Sequence, residues 1–328
     1  MTTVAAAGAG RMGRGIAIVF AYAGHDVALV DLKARAAQDV ERLRAEAMGE
    51  VRATLHMLAD IGLMAPSAVE PILARVRFAG RDEAPAVLAA ADVIFEGVPE
   101  TMPAKLEALA LLSRLSRPDA IIASTTSTIM ADELQAQVAP PDRFLNAHWL
   151  NPAYLMPLVE VSPGRATDPA VTARLVALLE GIGKVPVVCK ASPGFIVPRL
   201  QALVMNEAAR LVEEGVASAE DIDKATRYGL GFRFAVLGVL EFIDWGGGDI
   251  LYYASRYLAA ATGSDRFAAP RIVEDNMAAS RTGLRERAGF LDYSGLDIDA
   301  YRRQRLAAFA AQLKHMGALR PPALPADP

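Results

Sequence analysis

The chain has one cysteine, Cys189, which excludes a disulfide framework and any zinc site built on thiolates. It has no excess of positive charge: the formal balance is −4, so no basic footprint for nucleic acid is present. No apolar run approaches the ~20 residues that a bilayer-spanning helix requires. The opening Met-Thr-Thr offers neither a basic leader nor a cleavage site. Together these absences predict a soluble, cytoplasmic protein without nucleic-acid or membrane partners. No metal-ligand pattern appears either. What the chain does have is length and apolar content. At 328 residues, 53% of them hydrophobic and 22% charged, it is long enough for two domains and can bury a substantial core.

The first strand pattern, Val4 to Ala7, runs into Gly8-Ala-Gly10-Arg11-Met12-Gly13 and a helical stretch from Gly15 to Ala23. A second apolar run, Asp26 to Val30, is closed by Asp31. Strand, glycine turn, helix, strand and acidic residue form the context that gives G-x-G-x-x-G its meaning. The glycines allow a tight turn and let the backbone approach a pyrophosphate at a helix N-terminus. Asp31 would accept from a ribose hydroxyl and repel a 2′-phosphate, which favours NAD over NADP, with Lys33 and Arg35 close by.

From Ala34 to Ile61 the pattern is one long helix, and a second stretch, Ser67 to Ala74, makes it a helical hairpin projecting from the sheet. Its many charges read as a solvated face. Strands are expected at Val76 to Ala79, Asp92 to Gly97 and Ala120 to Ser124. The last of these ends in Ser124-Thr125-Thr126-Ser127-Thr128. Hydroxyls at that end of a parallel strand fall where the nicotinamide end of a dinucleotide lies, or else cap a helix. A helix from Pro169 to Gly181 and a strand from Val185 to Cys189 complete an α/β, doubly wound Rossmann sheet with an antiparallel extension.

The boundary falls near Lys190-Ala-Ser-Pro-Gly194, giving a cofactor domain over 1–190 and a helical substrate and dimerisation domain over 191–320. Residues 321–328 read as a frayed tail. Helices are expected over Ile196 to Glu214, from Ser218 to Gly229, and from about Val236, Pro270 and Asp297. The all-α module carries more apolar surface than a small bundle needs, which predicts a homodimer through the C-terminal helices.

Between the fifth strand and the Pro169 helix lies the stretch around which the rest is arranged. Arg143-Phe-Leu-Asn-Ala-His148-Trp-Leu-Asn151-Pro152 turns and re-enters Leu158-Val-Glu160-Val. If the two short runs pair, Glu160 reaches the His148 ring and fixes its tautomer. That is what a histidine taking a proton from an alcohol requires. Taken alone, the pair reads more readily as a strand-end histidine and a solvated carboxylate. Trp149 either walls a pocket or fills the core, and His25, His56 and His315 read as structural or exposed.

These motifs, in this order and spacing, resemble the 3-hydroxyacyl-CoA dehydrogenase family over nearly the whole chain. The resemblance rests on Gly8 to Gly13, Glu96-Gly-Val-Pro-Glu100 with Lys105, and Ser124 to Thr128. It continues with Asn146 to Pro152, Leu158 to Val161, Ser192-Pro-Gly-Phe195, Asn206-Glu-Ala and Glu213 to Ser218. It implies that His148 is the general base, Glu160 its orienting partner and Ser127 a donor to the substrate oxygen. Glu100, Lys105 and Thr125 would join Gly8, Gly10, Arg11, Met12, Gly13 and Asp31 around NAD. Asn151, Asn206 and Arg233 would complete the substrate side.

Three departures bear on the substrate. Where the family carries an asparagine after Pro-Gly-Phe-Ile-Val, this chain has Pro198, which offers neither side chain nor N–H; Asn206, two turns on, points off by most of a quadrant. The family's Ser and Lys for the nucleotide end of CoA are matched by Ala47 and Thr54, with Arg52 nearby. Gly229-Leu-Gly231-Phe232-Arg233 resembles the branches that act on free acids, such as L-gulonate dehydrogenase (lambda-crystallin), L-carnitine dehydrogenase and a pyridine-carboxylate dehydrogenase. Arg233 either grips a substrate carboxylate or caps a helix and pairs with Glu241 or Asp244. Trp245 to Gly248 is an unusual loop. The family weight sets 3-hydroxybutyryl-CoA as the default substrate. A free 3-hydroxy acid is the alternative, and a non-enzymatic NAD-binding role the third reading.

Overall fold

The computed structural model describes residues 2–323; the end of the expected tail, from 324, lies outside the described residues. By contacts the chain divides into two compact units, Met1–Met205 and Asn206–Pro328. In the first, the order is β1 Val4–Ala7, α1 Arg11–Tyr22, β2 Val27–Val30, α2 Ala37–Asp60, α3 Val69–Leu73, β3 Val76–Ala79, α4 Ala84–Ala90 and β4 Val93–Glu96. There follow α5 Met102–Leu115, β5 Ile121–Ser124, α6 Ala131–Gln135, β6 Phe144–Trp149, β7 Leu158–Pro163, α7 Pro169–Gly181, β8 Val185–Val188 and α8 Val197–Glu213.

The strands form one eight-stranded sheet in the order β3-β2-β1-β4-β5-β6-β7-β8. The first six are parallel, β7 runs antiparallel to β6, and β8 is parallel to β7. Central strands are covered on both faces, so they read as unbroken apolar runs. Alternate residues of β1 serve opposite sides: Val4 and Ala6 enter one core with Ile16, Phe20 and Leu55, while Ala5 and Ala7 enter the other with Leu88, Leu109 and Phe144. Trp149 is a core residue, its ring 5.6 Å from Phe95 and 6.2 Å from Phe20.

The helical hairpin is not free of the sheet domain. The inner face of α2, Ala47, Val51, Leu55 and Leu58, is buried in the same core as α1, and only the outer face carries the solvated charges. The short helices α4 and α6 had no distinct signal, each being under two full turns of Ala-rich or acidic sequence.

The sequence pattern changes near residue 190, whereas the contacts divide between Met205 and Asn206, inside α8. The first amides of that helix bond to Glu160 of β7, which ties its opening turns to the sheet. The second unit contains α9 Ala219–Ala225, a π-helical stretch Thr226–Gly231 and α10 Phe232–Phe234. It continues with α11 Val239–Gly246, α12 Gly248–Thr262, α13 Arg271–Ala278 and α14 Ile298–His315. The helix expected to stop at Gly229 instead widens by one residue per turn and runs on. Trp245 to Gly248 is the turn between α11 and α12, with Gly247 at φ 107° and the Gly248 amide bonded to the Thr282 carbonyl at 2.7 Å. Buried Asp244 accepts from the Phe290 and Leu291 amides and the Tyr293 hydroxyl, so the turn has a structural account. Among the described residues no helix is long and apolar enough to cross a membrane.

If α2 is anchored as described, Leu55→Ala should cost about 2–5 kcal/mol in denaturant unfolding. Glu46→Ala, on the outer face, should stay within about 0.5 kcal/mol. Equal effects would contradict the packing.

Candidate active site

The parallel strands β1, β4, β5 and β6 all end on one edge, and the order reverses between β1 and β4, where an open α/β sheet forms its crevice. Gly8 follows β1 at φ 120°; a Cβ there would lie 2.5 Å from the Gly97 carbonyl oxygen. A Cβ on Gly13 would lie 1.9 Å from the Gly8 carbonyl oxygen, so α1 can pack this close only as glycine. Over Gly10, by contrast, nothing lies within 4 Å. There the uncapped N-terminus of α1 faces a cleft of about 450 Å³ lined by Gly8 to Gly10, Arg14, Asp31 to Lys33, Arg35 and Gly97 to Pro99. Open space above bare amides at a helix start is what a pyrophosphate needs, and these residues fit NAD. Asp31 is held from below: its carboxylate accepts from Arg35 Nε at 2.5 Å and from the Lys33 amide at 3.4 Å.

Lys105 does not line this cleft. It is 1% exposed, and its ammonium lies between Glu96, at 3.1 and 3.2 Å, and Glu100, at 3.2 Å. A buried lysine persists because two carboxylates surround it, so its reach toward the cofactor side runs through Glu100. One oxygen of Glu100 in turn accepts from the Thr126 hydroxyl at 2.5 Å, the Ser127 amide at 2.9 Å, and the amide and hydroxyl of Thr128. Burial alone would raise this carboxyl, but Thr126, the Lys105 charge and the Ser127 amide outweigh it and hold it below the ordinary value. The run Ser124 to Thr128 is therefore not the cap of α6, which starts at Ala131. It is a loop wrapped around Glu100. Thr125 packs beside Gly97, its hydroxyl oxygen 3.7 Å from where a Gly97 Cβ would be. Arg11 is exposed and outside the cleft lining, which includes Arg14 instead, paired with Glu50 at 2.7 Å.

On β6 and β7, His148 stands directly opposite Glu160, and directly opposed residues have Cβ atoms about 5 Å apart. His148 Nδ1 lies 2.7 Å from Glu160 Oε2, both groups being buried. The carboxylate accepts, so Nδ1 carries the hydrogen and Nε2 keeps its lone pair. Glu160 Oε1 accepts from the Ile196 and Val197 amides at 2.8 Å each, at the start of α8. Phe195, at φ 43°, stacks its ring on the imidazole with centroids 5.6 Å apart.

His148 and Ser127 line one cleft of about 320 Å³ with Met12, Asn151, Met156, Pro198 and Gln201. The structure thus brings together His148, Glu160, Ser127, Asn151 and Met12. Asn206 and Arg233 belong to the other unit and are not among those lining residues. Arg233 lies over the Phe242 ring at 5.3 Å. Glu241 is instead taken by Arg305 at 2.7 Å, and Asp244 by amides and a tyrosine.

Sequence reasoning passed over Lys184 entirely. Its ammonium donates to the Ala153 carbonyl at 2.6 Å and the Met156 carbonyl at 2.8 Å, pinning the loop that follows His148; burial lowers its pKa. Gln201 also went unnoticed, whereas Phe195 had a signal in the Ser-Pro-Gly-Phe motif. Cys189 is held protonated, its pKa pushed up by burial and by the Glu160 charge.

Known proteins resemble this chain in sequence and fold. Residues 3–192 match the NAD binding domain of 3-hydroxyacyl-CoA dehydrogenase, and residues 194–293 match its C-terminal domain. The chain is 33% identical to a 5-formyl-3-hydroxy-2-methylpyridine 4-carboxylate 5-dehydrogenase of Mesorhizobium japonicum, covering 94% of this chain and 96% of that one. It is 30% identical to a 3-hydroxybutyryl-CoA dehydrogenase of Clostridioides difficile, covering 89% and 99%. A crystal structure of a 3-hydroxyacyl-CoA dehydrogenase from Archaeoglobus fulgidus superposes with a TM-score of 0.76 at 31% identity, over 97% of this chain and all of that one. The chain belongs to the 3-hydroxyacyl-CoA dehydrogenase family and is an NAD-dependent oxidoreductase acting on CH–OH.

Proposed function

We propose that this enzyme oxidises, with NAD, the secondary hydroxyl of a small hydroxy acid whose carboxylate is free, and catalyses the reverse reduction. The observation that carries the free-acid choice is the state of the three positions a CoA nucleotide would use. Ala47 is fully buried, the Thr54 hydroxyl donates to the Glu50 carbonyl at 2.9 Å, and the Arg52 guanidinium is paired with Glu70. Neither Ala47 nor Thr54 offers a group to a phosphate, and the nearby cation, Arg52, already has an acidic partner in Glu70. The full-length pyridine-carboxylate relative points the same way. The thioester, which the family name would suggest, is the reading set against it.

Bound NAD supplies the electron sink for the carbinol hydrogen. His148 Nε2 accepts the hydroxyl proton as that hydrogen leaves. Glu160 keeps the ring in the receptive tautomer and balances the charge it gains. The Ser127 hydroxyl donates to the substrate oxygen, and Glu100 holds the loop that carries Ser127. In the reverse direction His148 returns the proton. A carboxylate-tethered base of this kind contributes on the order of 10²–10⁴-fold in rate.

We further propose that the enzyme works as a dimer through its C-terminal helices. In support, Ile250, Tyr253 and Tyr257 of α12 form one stripe with exposures of 62, 64 and 72%, at the spacing of a single helix face.

His148→Ala should lower kcat by about 10²–10⁴-fold while a fluorescence titration still shows NAD binding; full activity would refute the assignment. NADH formation should occur with free 3-hydroxy acids, and turnover confined to CoA thioesters would overturn the free-acid reading. The Glu100 carboxyl is depressed in the fold, so its stabilisation is complete above its unfolded value of about 4.5 and fades as pH falls through the native value. The Tm gap between wild type and Glu100→Gln should therefore be constant near neutrality and shrink in acid. Tyr253→Glu with Tyr257→Glu should convert the dimer to a monomer in sedimentation velocity.

A further inference from the structure

Pro198 lines the catalytic cleft and offers it neither a side-chain donor nor an N–H, and the structure shows what stands beside it. Pro198 and Gln201, three apart near the start of α8, lie on one helix face, and both line the cleft that holds Ser127 and His148. The position of that face is fixed by the base itself. Glu160 binds His148 through one oxygen and the first amides of α8 through the other. Gln201 therefore sits one turn along a helix clamped to the imidazole's own carboxylate.

The remaining lining is informative for what it omits. Met12, Leu150, Met156 and Pro198 offer no side-chain donor to an acid, the unpartnered Trp149 indole N–H is buried in the core, and among the described residues no lysine or arginine lines this cleft. Ser127 and His148 are committed to the reacting hydroxyl. The carboxamides of Asn151 and Gln201 are what is left to meet the acyl end of a substrate, and Gln201 is the one on the clamped helix. We propose that Gln201 is a substrate-binding residue of this enzyme, donating its carboxamide N–H to a substrate acyl oxygen from the helix face on which Pro198 offers no donor. This assignment rests on the function proposed above.

A neutral amide binds a carboxylate oxygen without choosing it over a carbonyl by charge, so replacing it with an anion separates the two classes. The test measures KM and kcat of wild type, Gln201→Ala and Gln201→Glu on a free 3-hydroxy acid and on its CoA thioester, across pH, with NAD affinity measured for each. Gln201→Ala should raise KM for the free acid about tenfold, the scale of a hydrogen bond to a charged group, and leave NAD affinity unchanged. Gln201→Glu should raise it further, with the defect easing as pH falls and the new carboxyl is protonated; a merely structural role would give no such pH dependence. If wild type turns over the free acid while both variants stay within twofold of it, the Gln201 assignment is wrong and the function stands. If wild type oxidises no free hydroxy acid, the proposed function fails and takes this assignment with it.

Discussion

One carboxylate governs the geometry of this protein. Glu160 is fully buried, and a buried carboxylate survives only when its oxygens are satisfied. One oxygen faces His148 and the other receives two backbone amides at the opening of α8. Anions are favoured at a helix start, so the group that orients the ring also seats the helix. The antiparallel return of β6 into β7 sets up this contact by placing His148 directly opposite Glu160.

A second carboxylate, Glu100, plays a similar part on the cofactor side. It gathers the hydroxyls and amides after β5 into a single loop, with Lys105 and Glu96 beneath it. The two acids have separate roles, since Glu160 fixes the His148 ring and Glu100 fixes the loop bearing Ser127. Each acts through hydrogen bonds to backbone amides as well as to side chains, so each couples a part of the candidate site to the path of the main chain.

The parts of this design written in local chemistry were legible in the sequence. The glycine turn carries its own steric logic, since Gly8 and Gly13 have no room for a Cβ. The His148 and Glu160 runs declared themselves as short apolar segments around Asn-Pro, and the strands fell at nearly the expected residues. What stayed hidden depends on distant partners. Nothing near residue 52 says that Glu70 claims Arg52, and nothing near 105 says that Glu96 buries Lys105. Lys184 carries no motif because its partners are carbonyls of a loop brought to it by the fold, and Gln201 carries none because it reaches the cleft only through the placement of α8. The change of pattern near residue 190 could not show that the first amides of α8 bond to a strand, and the contacts divide further along that helix.

The strand beneath the glycine turn, Val4 to Ala7, holds three consecutive alanines, all fully buried. Alanine is a poor strand former, so this choice trades sheet propensity for thinness. Methyl-sized side chains above and below allow helices on both sides to approach the central strand closely. The floor of the cofactor crevice is thereby set by the smallest spacer available. Ordinary β-branched substitutions there would widen the gap at the one place where backbone and ligand must nearly touch.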